Sequence, residues 1–167
     1  MLAIKNVTLV MKDHFIPDAY LIVDEDIIKD FGEMRNAAIP EGCTEIDGKG
    51  LYVGPGFIDI HTHAGDNIFF QDNPEEACLA HLKHGTTSLM PALYFNLDAK
   101  GYVENIEFMK AASKKEACRN MIGIYMEGPY INKKYGSANN VKGAAQPRLP
   151  DTIPEDYEPM LKAGADI

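Results

Sequence analysis

Apolar and polar positions alternate over residues 3–10, 19–23 and 27–31, the last run closing at Gly32, and this period of two predicts short strands joined by turns. A small β domain over residues 1–53 follows, with the turn cluster Asp47-Gly48-Lys49-Gly50 near its end. From residue 54 the pattern changes. Gly54-Pro55-Gly56 leads into the apolar run Phe57-Ile58-Asp59-Ile60, which ends at His61-Thr62-His63. Residues 74–84 carry a helical pattern with Pro74 at its start and Gly85 after its end, and residues 86–93 form the next strand. Asp98 is an N-cap for a helix running to about residue 117, and the strand expected at 120–126 delivers Glu127 just before the breaker pair Gly128-Pro129.

Residues 130–150 hold Gly, Asn and Pro without a period, which points to a functional loop rather than an ordinary connection. A third helix is predicted at 154–164, and Ala165-Asp166-Ile167 opens another strand. Repeated βα units over residues 54–167 imply a parallel sheet or barrel. A closed (β/α)8 barrel takes roughly 250 residues. The expectation is therefore the first units of a longer barrel, with a smaller open sheet as the alternative.

Charge and composition narrow the function. Among 167 residues, 25 acidic side chains face 16 basic ones, giving a formal charge of −9. No dense Lys/Arg cluster exists to grip nucleic acid. Cys43, Cys78 and Cys118 are odd in number and widely spaced, so no disulfide framework is expected and a reducing cytoplasm fits best. The opening residues lack a signal peptide's apolar segment, and no apolar run reaches the roughly 18 residues of a membrane span. A soluble, cytoplasmic protein is expected.

Strand residues alternate sides, so His61 and His63 project from one face at a strand terminus, with Glu127 ending another strand. Two imidazoles and a carboxylate suit a divalent ion such as zinc or iron, with coordination positions left for water. Asp59 shares the histidine face but lies deeper, where a hydrogen bond to a ligating imidazole would satisfy its carboxylate. Taken alone, His-x-His reads equally well as two solvated residues at a strand end, with Glu127 capping a turn. His81 and His84, three apart on a helix, read as structural, as do Phe69-Phe70 and the scattered methionines, while Lys133 and Lys134 read as solvated surface.

Pro55-Gly56-Phe57-Ile58-Asp59, continued by His61 and His63, resembles the signature of the metal-dependent amidohydrolase superfamily. Tyr125-Met126-Glu127-Gly128-Pro129-Tyr130-Ile131-Asn132 resembles the Glu-Gly-Pro segment of the N-acetylglucosamine-6-phosphate deacetylases, in the expected order and separation. The likeness extends to the β-rich start, to Gly85-Thr86-Thr87-Ser88-Leu89-Met90-Pro91 and to the loop beyond Glu127. It implies the N-terminal part of a (β/α)8 TIM-type amidohydrolase barrel, preceded by strands of a small β-sandwich that both chain ends build. It implies a homodimer that hydrolyses the acetamide of N-acetylglucosamine 6-phosphate, a small phosphorylated amino sugar. His61 and His63 match the paired histidines of two-metal members, and Glu127 matches the bridging or sole-site glutamate, so one or two ions are implied.

The family's general base, an aspartate, and two further histidine ligands lie beyond residue 167, so the 167 residues by themselves are expected to be inactive. Two departures stand out. Ala64-Gly65-Asp66 follows His63 where the family has glycine at once, and Tyr135-Gly136-Ser137-Ala138 replaces a substrate loop reading Lys-Gly-Ala-His. Ser137 and Ala138 retain backbone groups for substrate, with no imidazole. The rival readings are another amidohydrolase, dihydroorotase-like or acting on acylated amino acids, and a non-catalytic metal- or partner-binding module.

Overall fold

The structure is a computed structural model that describes residues 1–95, 97–128 and 154–166. It divides into two compact units, Met1–Pro55 and Gly56–Ile167.

In the first unit, β1 (Leu2–Val10), β2 (Phe15–Asp24) and β3 (Ile27–Glu33) form an antiparallel meander. The predicted strands lie within these bounds. β4 (Thr44–Asp47) and β5 (Tyr52–Val53) return parallel to β1, giving a five-stranded sheet in which β3-β2-β1-β4 are neighbours. Neither was expected, because Thr44, Glu45, Ile46 and Asp47 are all exposed and carry no alternation of burial. Side chains on β1 and β2 bury Ala3, Tyr20 and Ile22 in one cluster and Val7, Leu9 and Ala19 in another. Glycine is required at Gly48, where a Cβ would lie 2.1 Å from Val7 Cγ1 as the chain turns across β1.

The second unit is built on a parallel sheet of β6 (Phe57–Thr62), β9 (Thr86–Leu93) and β10 (Tyr125–Met126), with β9 in the middle. Between β6 and β9 come a small hairpin, β7 (Ala64–Gly65) with β8 (Ile68–Phe69), and the helix α1 (Pro74–Lys83). The helix α2 (Ala99–Ala112) connects β9 to β10, and α3 (Pro154–Ala163) lies further on. Leu89 to Leu93 are buried without interruption, as a central parallel strand covered on both faces requires. Phe70, Cys78, Leu89, Tyr102, Ile106, Met109, Cys118 and Met160 fill the core of this unit. All three cysteines are free, and burial pushes the Cys78 and Cys118 thiols up.

Local chemistry sets the helix ends. Asn73 caps α1 by accepting from the Glu76 amide, and Asp98 caps α2 by accepting from the Gly101 amide at 2.7 Å. Asp98→Ala should cost about 1 kcal/mol in urea unfolding; an unchanged midpoint would contradict the cap's role. α2 stops at Ala112, short of the expected 117. Its buried face is Tyr102, Ile106, Met109 and Ala112, so further helical turns would drive Lys115 and Glu116 into the core. The chain instead makes a 3-10 turn at Glu116–Cys118 that buries Cys118.

The strand expected at 120–126 is also interrupted. Met121 bridges to Leu89, and pairing resumes only at Tyr125. Between them the Ile124 amide donates to the Asp166 carboxylate at 2.9 Å.

Candidate metal centre

Parallel strands place their C-terminal ends on one rim, the usual position for ligand sites in α/β sheets. β6 carries His61 and leads directly into His63; β10 leads into Glu127, whose amide extends the ladder by donating to the Leu93 carbonyl at 3.0 Å. β6 and β10 flank β9, so they stand roughly 9–10 Å apart at about 4.8 Å per strand spacing. Side chains reaching inward from both sides meet over the end of β9.

They do meet. His61 Nε2 lies 3.4 Å from His63 Nε2, and His63 Nε2 lies 3.5 Å from Glu127 Oε2. One ligand atom from each of the three residues falls within 4.8 Å of the others. His63 Nδ1 lies 2.9 Å from the Ala92 carbonyl, which can only accept, so Nδ1 carries the proton and the Nε2 lone pair faces His61 and Glu127. Glu127 Oε2 is buried and accepts no hydrogen bond among the described residues, with His63 Nε2 beside it at 3.5 Å.

A divalent ion fits this donor set. Ligand atoms about 2.0–2.1 Å from a tetrahedral ion stand roughly 3.3 Å apart. The separations of 3.4 and 3.5 Å are close to that value, and the His61–Glu127 pair lies within 4.8 Å. A buried carboxylate oxygen that accepts no hydrogen bond is a costly arrangement that a cation would relieve.

Aromatic rings surround the cluster. Tyr125 packs on His61 with ring centroids 4.6 Å apart, and Tyr94 meets His63 edge-on at 5.4 Å. Asp59 accepts from the main-chain amide of His61 at 3.1 Å, which differs from the expected bond to an imidazole and ties down the strand end rather than a ring. His81 and His84 do not form a pair of ligands. His81 Nε2 lies 3.0 Å from the Ala64 carbonyl and its ring stacks on Phe70, while the exposed His84 ends α1. Ser137, Ala138, Lys133 and Lys134 lie outside the described residues.

Sequence reasoning missed the packing of Tyr94 and Tyr125, the Ala92 carbonyl and the hairpin after His63. Only the hairpin had a local signal. Asp66 and Asn67 both take positive φ, at 50° and 66°, as a two-residue type I′ turn requires, and Asp and Asn tolerate that region best among non-glycine residues. Gly65 lets the hairpin sit on α1, since a Cβ there would lie 2.5 Å from the Ala77 carbonyl.

The model described as the amidohydrolase family matches residues 52–158. N-acetylglucosamine-6-phosphate deacetylase of Lysinibacillus sphaericus is 25% identical over 123 residues, covering 65% of this chain and 29% of the relative. An adenine deaminase of Clostridium acetobutylicum is 33% identical over 97 residues, covering 53% of this chain and 15% of the relative. The crystal structure of N-acetyl-D-glucosamine-6-phosphate deacetylase from Mycobacterium smegmatis superposes with a TM-score of 0.75 at 21% identity, over 98% of this chain and 44% of that one. The chain thus spans less than a third of the curated relatives it matches. Its fold is the N-terminal part of a TIM-type barrel preceded by β strands.

Proposed function

The chain belongs to the amidohydrolase family, and from that premise we propose that the intact protein is a metal-dependent hydrolase that releases acetate from N-acetylglucosamine 6-phosphate and leaves glucosamine 6-phosphate. The observation that carries this reading is the convergence of His61, His63 and Glu127 at the C-terminal ends of parallel strands. These residues would hold one or two divalent ions, zinc or iron. When bound, such an ion supplies Lewis acidity toward the amide carbonyl and lowers the pKa of water.

This chain's residues bind and orient. The Ala92 carbonyl holds Nδ1 of His63 as a donor and so leaves Nε2 as the nitrogen that would face an ion, and Asp59 steadies the backbone at His61. Proton transfer to the departing amine falls to an aspartate elsewhere in the intact protein. Ser137 and Ala138 are assigned to substrate contact through their backbone groups. The same reading makes the intact protein a cytoplasmic homodimer with no nucleic-acid partner. Among the described residues no helix is long and apolar enough to cross a membrane.

The adenine deaminase relative favours a second reading, hydrolysis at another carbon–nitrogen bond. The intact protein, assayed against N-acetylglucosamine 6-phosphate, cyclic amides and adenine, separates the two. Preference for the acetylated sugar phosphate by about a hundredfold or more in kcat/KM is expected. Chelator treatment should abolish turnover and zinc or iron should restore it. Preference for adenine or a cyclic amide would overturn the deacetylase assignment, and turnover unaffected by metal removal would overturn the metal centre.

A further inference from the structure

The two histidines on the rim are held by different means. His63 is fixed through Nδ1 by the Ala92 carbonyl and meets Tyr94 edge-on. His61 is exposed, and its Nδ1 has no hydrogen-bond partner among the described residues. An imidazole at an exposed strand end has a broad, two-fold χ2 preference and several χ1 wells. Ordering it for ligation costs conformational entropy, which lowers metal affinity unless something else restricts the ring beforehand.

Tyr125 is placed to supply that restriction. It lies two residues before Glu127, so both side chains leave the same face of the strand, and Asp59, His61 and His63 share a face of theirs by the same alternation. Its ring reaches across β9 to pack against His61, with centroids 4.6 Å apart and planes inclined at 60°. One strand thus provides both a ligand and the surface against which the opposite ligand rests.

The geometry points to Tyr125 as a positioning residue that holds the His61 ring with Nε2 turned toward His63 and Glu127, preorganising the divalent-ion site. The inference rests on the reading of these three residues as ligands. The contact is ring against ring in a tilted arrangement, and no hydrogen bond joins the Tyr125 hydroxyl to His61 among the described residues. The aromatic ring, and not the hydroxyl, is therefore the element that matters.

The test is zinc affinity of the intact protein, measured by competition with a chromophoric chelator, together with the visible spectrum of the cobalt-substituted form. Tyr125→Ala should weaken zinc binding about 10- to 100-fold, as loss of a support behind a ligand typically does, and shift the cobalt bands. Tyr125→Phe should restore both to wild type. Tyr125→Leu keeps apolar bulk for folding without a flat face and should behave like the alanine variant.

Wild-type affinity and spectrum in Tyr125→Ala or Tyr125→Leu, with His61→Ala weakened, would overturn the role of Tyr125 and leave the ligand assignment standing. A Tyr125→Phe variant as weak as alanine would overturn the ring-packing argument. Unaltered zinc affinity in His61→Ala would overturn the ligand assignment and this inference together.

Discussion

Glu127→Ala in the intact protein is expected to remove metal-dependent hydrolysis while leaving the metal-free protein as stable as wild type, or more so. The first half follows from ligation. Electrophilic stabilisation by a bound ion contributes several kcal/mol to the transition state, and about 4 kcal/mol corresponds to a loss on the order of a thousandfold in kcat/KM. The second half follows from burial. Oε2 of Glu127 is buried without a hydrogen bond in a side chain that is 22% exposed overall, so without an ion one carboxylate oxygen is left unsatisfied, a local cost to the fold.

Alanine removes that liability. It should also erase the rise in Tm on adding zinc, worth about 2.7 kcal/mol at a hundredfold excess over Kd. His61→Ala makes a useful contrast, because His61 is exposed. It should lose activity without gaining metal-free stability. Differential scanning with and without zinc, alongside the acetate-release assay, reads both halves. Retained turnover, or a full zinc-induced rise in Tm for Glu127→Ala, would remove Glu127 from the site.

The parts of this fold that can be read along the chain are those set by local chemistry. α1 is bounded by Pro74 and Gly85, α2 begins where Asp98 accepts from Gly101, and β9 ends in the continuous apolar run from Leu89 to Leu93. The parts that escape are held by partners distant in sequence. β4 and β5 bury little and exist because β1 offers them a parallel edge. The break at Gly123 and Ile124 depends on Asp166, more than forty residues later in the chain.

The site divides in the same way. Alternation and the family resemblance bring His61, His63 and Glu127 to one rim, because strand period and strand ends are sequence properties. The proton placement on His63 depends on the Ala92 carbonyl, and the ring behind His61 comes from Tyr125, two strands away in the sheet. Such supports are three-dimensional adjacencies with no spacing to announce them. β6 shows another non-local effect: Phe57, Ile58 and Ile60 are 70%, 70% and 54% exposed, although an apolar run in a parallel strand reads as core. Only β9 pairs with β6 among the described residues, so its burial awaits neighbours that a complete barrel would supply.

Gly128→Ala, a change of one methyl group, is expected to act on the metal centre from a position that is not itself a ligand. A Cβ at Gly128 would lie 2.7 Å from Phe95 Cβ, 2.8 Å from Phe95 Cα and 3.1 Å from Tyr102 Oη. Ordinary carbon contacts begin near 3.5 Å, so something must move by about 1 Å. Phe95 cannot simply rotate away, because its Cα is part of the clash. The chain around it is also pinned, since the Tyr102 hydroxyl donates to the Tyr94 carbonyl at 2.9 Å from a fully buried side chain. The segment carrying Glu127 is the one left to yield. Metal–ligand distances tolerate only about 0.2 Å, and a misplacement of about 1 Å at a reacting centre can cost on the order of a hundredfold in rate. The overpacked variant should also lose about 1–3 kcal/mol of stability. Gly32→Ala is the matched control, because its Cβ would meet Tyr20 at an ordinary 3.5 Å, and it should change neither activity nor zinc affinity. Wild-type kcat/KM and zinc affinity in Gly128→Ala would show that Glu127 does not depend on the close approach of Gly128 to Phe95.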